Sequence, residues 1–366
     1  DRLKSVDRAN VLMDLSRPEN SAEHSWHVAL YALVFGASDR AISMILLHDL
    51  VEIDAGDQPI HLDHDAAALA RAEARAADRI FGLAGDSGDL RGIWAEFEAA
   101  ASSDANFAKR MDHANPLFQV VSAATPRPDH VRIVQANLNG GRARRLWQDW
   151  PEAAAAAEAL MRGRAVPDGD LARRLAFLAE ADRLKSVYRA NTLIDGSRRE
   201  NSGEHSWHVA LMASVLAPYA EQNVNIHRVI QMILIHDLVE IDAGDMFAFA
   251  EAADHAEQEE KEFAAAERIF GLLPRGQGEI LLALWHEFEA AEPPDAKFAK
   301  AMDRVLPVFQ NMAAEGGSWV RHGVAKEKIL ARNAHLQQAA PGLWRYVNEQ
   351  LDLAVEKGWL KNGDGA

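Results

Sequence analysis

One half of this chain repeats the other, and that repeat restricts the folds open to it more than any other feature. Asp1-Arg2-Leu3-Lys4-Ser5-Val6 returns as Asp182 to Val187, and Glu23-His24-Ser25-Trp26-His27-Val28-Ala29-Leu30 returns as Glu204 to Leu211. His48-Asp49-Leu50-Val51-Glu52-Ile53-Asp54-Ala55-Gly56-Asp57 returns unchanged as His236 to Asp245. Phe107-Ala108-Lys109-Arg110-Met111-Asp112 is answered by Phe298-Ala299-Lys300-Ala301-Met302-Asp303. An identical run of that length in 366 residues is a tandem duplication. The spacing between equivalents grows from 181 (24 to 205) to 188 (48 to 236) and 191 (112 to 303), so the first copy is shorter in its connections and intact in its blocks. It lacks a counterpart of Trp319-Val320-Arg321-His322-Gly323. The helix-breaking stretch from Gly163 to Gly169 marks the join, giving domains 1–165 and 166–366.

The periodicity is helical. Ser21 or Asn20 can cap a helix whose apolar positions Trp26, Ala29, Leu30, Leu33 and Val34 recur at three and four residues. Ala41 to Ile53 reads as a second, mostly buried helix. Ala66 to Phe81 and Ala256 to Phe270 read as a pair of equivalents ended by Gly82 and Gly271. Ser103 to Val121 and Pro294 to Met312 each carry an internal proline, Pro116 and Pro307, expected to kink the helix just beyond an aspartate. No stretch alternates with period two, so the fold class is all-α, as two tandem helical bundles.

Composition narrows the chemistry. With 39 Lys+Arg against 55 Asp+Glu, the net charge of -16 repels a polyanion, so nucleic acid is not an expected partner. There is no cysteine, so a metal site must be built from His, Asp and Glu. No run reaches the ~18 apolar residues of a membrane span and no signal-like segment opens the chain; a cytoplasmic protein without membrane contact is expected.

Ionisable residues inside apolar helical runs carry the functional signal. His48-Asp49 follows Ile45-Leu46-Leu47, and His236-Asp237 follows Ile233-Leu234-Ile235. Adjacent helical side chains diverge by about 100°, so such a pair flanks one point only if that point lies between them, as a metal ion would. His24 and His205 arrive from the preceding helix, and Asp112 and Asp303 from far later. Imidazole plus carboxylate without sulfur suits Mn²⁺, Fe²⁺, Co²⁺, Ni²⁺ or Zn²⁺. Glu52 and Glu240 lie one turn beyond the His-Asp pair, placed to orient a water or take its proton, and Gly56-Asp57 and Gly244-Asp245 set another carboxylate past the helix end. A lone buried His-Asp pair is more often a satisfied core pair; the second His, second Asp and Glu favour a metal. His27 and His208 read as core or supporting residues, His61, His64 and His255 as exposed, the Trp94/Trp285 pair as packing, and the Ala153–Ala157 run as helix propensity alone.

Glu-His-Ser at 23–25 and 204–206, His-Asp-Leu-Val-Glu at 48–52 and 236–240, and the late Asp112 and Asp303 resemble the HD-domain metal-dependent phosphohydrolases. They are most similar to the branch that includes bacterial 5'-deoxynucleotidases acting on nucleoside monophosphates. The resemblance spans nearly the whole chain, twice. It implies one divalent metal per HD domain, held by His24, His48, Asp49 and Asp112 and by His205, His236, Asp237 and Asp303. It also implies catalytic roles for Glu52 and Glu240, aspartates near the sugar at Asp57 and Asp245, and phosphate-binding arginines in the first helix at Arg8 and Arg189. Arg17, Arg198 and Arg199 are nearby alternatives. The implied function is hydrolysis of a small phosphomonoester, a (deoxy)nucleoside 5'-monophosphate, by metal-activated water. Members of this branch commonly dimerise, so an intramolecular pseudo-dimer, with further homo-oligomerisation open, is also implied. The Gly-Lys after the His-Asp of cyclic-dinucleotide phosphodiesterases is absent, as are the extra histidines of two-metal sites. A di-metal phosphodiesterase and a nucleotide-binding regulatory module with little turnover are the alternatives. His113 stands where the second copy has Arg304, so the first copy is expected to bind metal yet turn over slowly if those positions line the pocket.

Overall fold

The computed structural model describes residues 1–58, 65–85, 89–140, 144–246 and 252–362. In the first repeat a short ribbon, β1 (Asp7–Val11) and antiparallel β2 (Pro18–Asn20), leads into α1 (Ser21–Val34) and α2 (Asp39–Leu47). A 3₁₀ turn over His48–Val51 joins α2 to α3 (Glu52–Ala55), followed by α4 (Ala66–Gly82), α5 (Leu90–Ala99) and α6 (Ser103–Val121). Helices α7 (Pro128–Gly140), α8 (Arg144–Asp149) and α9 (Pro151–Met161) complete it, and α10 (Asp170–Ala181) follows after the loop that holds Gly163 and Gly169. The second repeat's ribbon, β3 (Tyr188–Thr192) and antiparallel β4 (Arg199–Asn201), comes after a 3₁₀ turn over Asp182–Ser186. The repeat continues through α11 (Ser202–Leu216), α12 (Ile226–Ile235), the 3₁₀ turn His236–Val239, α13 (Glu240–Ala243), α14 (Ala252–Phe270), α15 (Arg275–Ala290) and α16 (Pro294–Ala313). Its tail is α17 (Gly317–His322), α18 (Lys326–Arg332), α19 (Leu336–Ala339) and α20 (Pro341–Glu356). The all-α class holds, with the two ribbons as its only strands among the described residues. They escape a periodicity test because neither is long enough, nor apolar enough on one face, to alternate.

The helix that carries the first histidine starts the same way in both repeats. Asn20 Oδ1 accepts from the backbone N–H groups of Ala22 and Glu23 (both 3.0 Å), and Glu23 Oε1 accepts in return from Asn20 N at 2.8 Å. This capping box satisfies two orphan donors of the first turn. Arg17 then neutralises the buried Glu23 with a two-pronged contact at 2.6 and 2.8 Å, as Arg198 does for Glu204 at 2.6 and 2.7 Å. Both arginines are thereby committed to the cap.

The continuous helix expected over Ala41 to Ile53 breaks at the His-Asp pair. His48 Nδ1 donates to Ile45 O at 2.6 Å, the acceptor that the Asp49 N–H would use in a continuing α-helix, and the chain tightens to three residues per turn. His48 and Asp49 therefore splay by about 120° instead of about 100°. Gly56 ends α3 at φ +74°, a conformation that favours glycine, and turns Asp57 back over the His-Asp turn.

The chain divides into two compact units. One comprises Arg2–Lys185 with Arg268–Gly278, the other Asp1, Ser186–Glu267 and Glu279–Ala366. In the first, α10 packs on α1, where the His27 Nε2–H donates to Leu178 O at 2.9 Å. Arg173 donates to Leu273 O (2.9 Å from Nε) and Gly271 O (2.7 Å), while Gln277 Nε2 reaches Val34 O at 2.7 Å. The core below the site is Trp26, Leu30, Ile42, Ile45, Phe97, Met111 and Phe118; in the second unit Trp207, Ile230, Ile233, Phe288, Met302 and Val305 do the same work.

Candidate metal centre and active site

In each repeat, three elements converge on one point. Among the described residues His24 from α1, His48 from the 3₁₀ turn and Asp112 from α6 present donor atoms all within 4.8 Å of one another; His205, His236 and Asp303 do so in the second repeat. His24 Nε2 lies 3.2 Å from Asp112 Oδ1, and His48 Nε2 lies 3.6 Å from the same oxygen and 3.1 Å from Asp49 Oδ1. The corresponding distances in the second repeat are 3.0, 3.6 and 3.0 Å. Asp49 and Asp237 stand at the edge of this cluster, each giving its other oxygen to an arginine, Arg8 or Arg189, at 2.8 Å.

The donors suit a cation. Because Nδ1 of His48 and of His236 donates to a backbone carbonyl, Nε2 is left as a lone-pair acceptor, and both Nε2 atoms are buried without a hydrogen-bond partner. An acceptor nitrogen aimed at carboxylate oxygens is unfavourable unless a proton or a metal ion lies between them. Burial by itself would lower the His48 pKa; Asp49 and Asp112 outweigh it and push it up to about 9. Four potential donors leave room in an octahedral shell for water and a substrate oxygen.

Around each cluster lie the remaining sequence candidates. Burial, with Asp49 and Asp57 adding to it and Arg8 opposing, pushes the Glu52 carboxyl up to about 8; Glu240 is raised by the same causes. Each is held by a serine hydroxyl from the first turn of the histidine helix, Ser21 to Glu52 at 2.5 Å and Ser202 to Glu240 at 2.6 Å. Asp57 and Asp245 are likewise raised by burial, against the pull of Arg8 and Arg189. Arg8 and Arg189, expected in the first helix, stand instead on β1 and β3. There Arg8 Nη1 lies 2.8, 3.7 and 3.8 Å from Asp49, Glu52 and Asp57, and Arg189 Nη1 lies 2.8, 3.6 and 3.7 Å from Asp237, Glu240 and Asp245. Arg17 and Arg198 are spent on their caps, and Arg199 is exposed. His61 and His64 lie outside the described residues, as does the His255 side chain. Trp285 packs behind the turn and donates its indole N–H to His236 O at 3.1 Å.

Sequence reasoning missed a layer behind the histidines. Glu19 Oε2 faces His24 Nδ1 at 3.3 Å, and Glu200 faces His205 at the same distance; both carboxylates are fully buried. In the first unit Lys185 anchors Glu19 at 2.6 Å, bonds Asp182 at 2.5 Å and donates to His27 Nδ1 at 2.9 Å. Glu19, His27 and Asp182 could geometrically hold an ion, but the Lys185 ammonium already fills that place. The only sequence trace of this layer is the lysine that recurs inside the repeated Asp-Arg-Leu-Lys-Ser-Val block, and recurrence alone does not separate it from the exposed arginine of the same block.

Each cluster forms one wall of a cavity. The first repeat's measures about 480 Å³ and is bounded by Glu73, His113 and Leu117 opposite Arg8, Glu52 and Asp57. The second repeat's measures about 380 Å³ and adds Arg304, Trp319 and Arg332 to Arg189, Glu240 and Asp245. The Arg304 position and the segment absent from the first repeat thus do line a pocket.

A family model described as HD domain matches residues 1–154 and again 181–344. The chain belongs to the HD-domain family. A solved structure from Magnetospirillum magnetotacticum MS-1, described as a predicted metal-dependent phosphohydrolase, is 46% identical with a TM-score of 0.50, covering 53% of this chain and 99% of that one. Human 5'-deoxynucleotidase HDDC2 is 31% identical over 137 residues, covering 37% of this chain, and the match spans only 65% of the human protein's length. A 5'-deoxynucleotidase of Enterobacter sp. (strain 638) is 27% identical over 163 residues, covering 42% of this chain and 81% of that protein. Each of these matches covers about half of this chain or less, whereas the family model matches it twice. No described helix is long and apolar enough to cross a membrane.

Proposed function

We propose that this HD-domain chain is a metal-dependent phosphohydrolase that cleaves a phosphomonoester, a (deoxy)nucleoside 5'-monophosphate. Each repeat, 1–165 and 166–366, holds one divalent transition metal through His24, His48, Asp49 and Asp112 or His205, His236, Asp237 and Asp303. The observation that carries this reading is the pair of buried, unpartnered histidine nitrogens facing carboxylates on a cavity wall, formed twice from the same sequence blocks. The chemistry a divalent cation would supply when held by these residues is polarisation of a phosphoryl oxygen and activation of a water. The chain's own groups divide the remaining work. Glu52 and Glu240, pushed towards neutral pH by burial, are matched to hold and pass a proton. Arg8 and Arg189 place a guanidinium beside that carboxyl, where a phosphate oxygen can share it with Asp49 or Asp237. Asp57 and Asp245, turned back by a glycine, face the leaving sugar. The names of the relatives supply the nucleotide class, and the cavity volumes admit it.

Phosphate release from a panel of nucleoside monophosphates, after chelation and restoration of Mn²⁺, Co²⁺ or Zn²⁺, tests the proposal. Release is expected with at least one metal and is expected to vanish on chelation. A fully metallated protein that hydrolyses no monophosphate would sink it.

A further inference from the structure

The two cavities share a metal cluster and differ in their cations. In the first repeat the cavity is lined by one arginine, Arg8, with Asp49, Glu52 and Asp57 within 4.0 Å of it. In the second, Asp237, Glu240, Asp245 and Asp303 surround Arg189, and Arg304 and Arg332 stand on the same wall. The lysine each cavity also contains is neutralised alike, Lys109 by Glu98 at 2.9 Å and Lys300 by Glu289 at 2.7 Å. Arg304 and Arg332 add two guanidinium charges to the second cavity against one further carboxylate, the exposed Glu259, so its lining is more positive by one formal charge.

Those two charges are uncommitted. Arg189 is held by Asp237 at 2.8 Å with three more carboxylates, Glu240, Asp245 and Glu200, inside 4.0 Å, so a ligand must compete for it. Arg304 and Arg332 pair with no carboxylate among the described residues; their one mutual contact runs from Arg304 Nη1 to the backbone carbonyl of Arg332 at 3.3 Å. Both are half-buried. Burial, then repulsion from Arg304 and Arg189, lowers the Arg332 pKa despite Asp303 and Asp245 nearby. A half-buried guanidinium without a counter-ion is unfavourable in the empty cavity and favourable once an anion arrives. The register of the two tails shows the first repeat has neither group. Asn137 and Asn333 make the same bond, Nδ2 to the carbonyl four residues back (Ile133 or Ile329, both 3.0 Å), which sets Ala136 opposite Arg332, while His113 stands opposite Arg304.

We propose that Arg304 and Arg332 form an anion subsite for a phosphate group in the cavity of the second repeat, a subsite that the first repeat does not possess. It rests on the phosphoester reading of the substrate but concerns binding, and so can fail separately. Two planar guanidinium forks beside Asp303 can share the oxygens of one phosphate between them, leaving an oxygen to face the His-Asp cluster. The two repeats then differ in phosphate affinity even when both are fully metallated.

Calorimetric titration of the full-length, metal-loaded protein with inorganic phosphate reads this without turnover. Wild type is expected to show two classes of site, and Arg332→Gln or Arg304→His to weaken the tighter class about tenfold or more, leaving the other class and the metal content unchanged. Arg332→Lys is expected to recover part of the loss. Should Arg332→Gln not fold, Arg304→His, which installs the first repeat's own residue, gives the same reading by itself. Unchanged phosphate affinity in Arg304→His, with metal retained, overturns the subsite. If phosphate binds as expected and no ester is hydrolysed, the subsite stands and the phosphohydrolase reading falls.

Discussion

Glu52 and Glu240 show how little of a residue's chemistry lies in the residue. A glutamate in water is ionised well below neutrality; here burial beside other carboxylates pushes Glu52 up to about 8, and one serine hydroxyl fixes its orientation. Replacing Glu240 by Gln keeps the size and the oxygen that Ser202 bonds, and removes only the proton exchange. Turnover by the second repeat is expected to fall about 10²–10⁴-fold with metal content unchanged, as elemental analysis beside kcat would show. His27 carries a separate pH dependence. Its Nε2–H is given to Leu178 O and its Nδ1 receives Lys185, so burial and that ammonium hold its pKa well below 6.5. Glu19, Asp182, Tyr31 and His24 also face it, and their net effect leaves the neutral form favoured. The folded pKa is depressed, so the unfolded state binds the extra proton as pH drops below 6.5. The His27 contribution is thus fully present above that pH and is lost by at most about 1.4 kcal/mol per pH unit on acidification. Urea unfolding between about pH 7.5 and 5 should therefore give a steeper acid loss in wild type than in His27→Gln. Parallel slopes would show that His27 does not titrate on unfolding.

At the scale of elements, the site depends on interruptions. The tightened turn at His48–Val51 separates His48 from Asp49, and the glycine after α3 sends Asp57 back towards Arg8. A Cβ at Gly56 would meet no atom within 4 Å, so Gly56→Ala tests backbone conformation alone. With φ at +74° and ψ at 156°, a region nearly reserved for glycine, the substitution is expected to cost about 1–3 kcal/mol in chemical denaturation or to move Asp57 and raise KM. A variant with wild-type stability and KM would show that the turn tolerates another conformation. The sequence made α1, α4 and α6 legible because capping residues and apolar spacing agreed along their length. It hid the 3₁₀ turn because an apolar run of that length fits either helix. The ribbons were hidden as well: their residues are placed by backbone pairing and by the strand that presents Arg8, not by a hydrophobic face.

Across the whole molecule, the numbering of the repeats and the packing of the units differ at one informative place. Lys185 belongs by sequence to the second copy's opening block, and by packing it supports Glu19 behind His24 of the first. Lys185→Met would leave Glu19 and Asp182 as buried carboxylates without their cation, a loss of about 3–5 kcal/mol for the first unit. Weaker metal retention by the His24 cluster is expected with it, and retention equal to wild type at unchanged stability would refute the support. The duplication, the helical class and most of the residues that cluster were legible in the sequence alone, because a repeated block of buried ionisable residues has few physical uses. Which charges remain uncompensated was decided only by tertiary structure. Arg17, Arg189 and Arg332 look equivalent in the sequence, yet one is spent on a cap, one is surrounded by carboxylates and one is left facing a cavity without a partner. Electrostatic roles depend on distances across the chain, and those exist only once the folded chain has brought Arg189, Asp303 and Arg332 to the walls of one cavity.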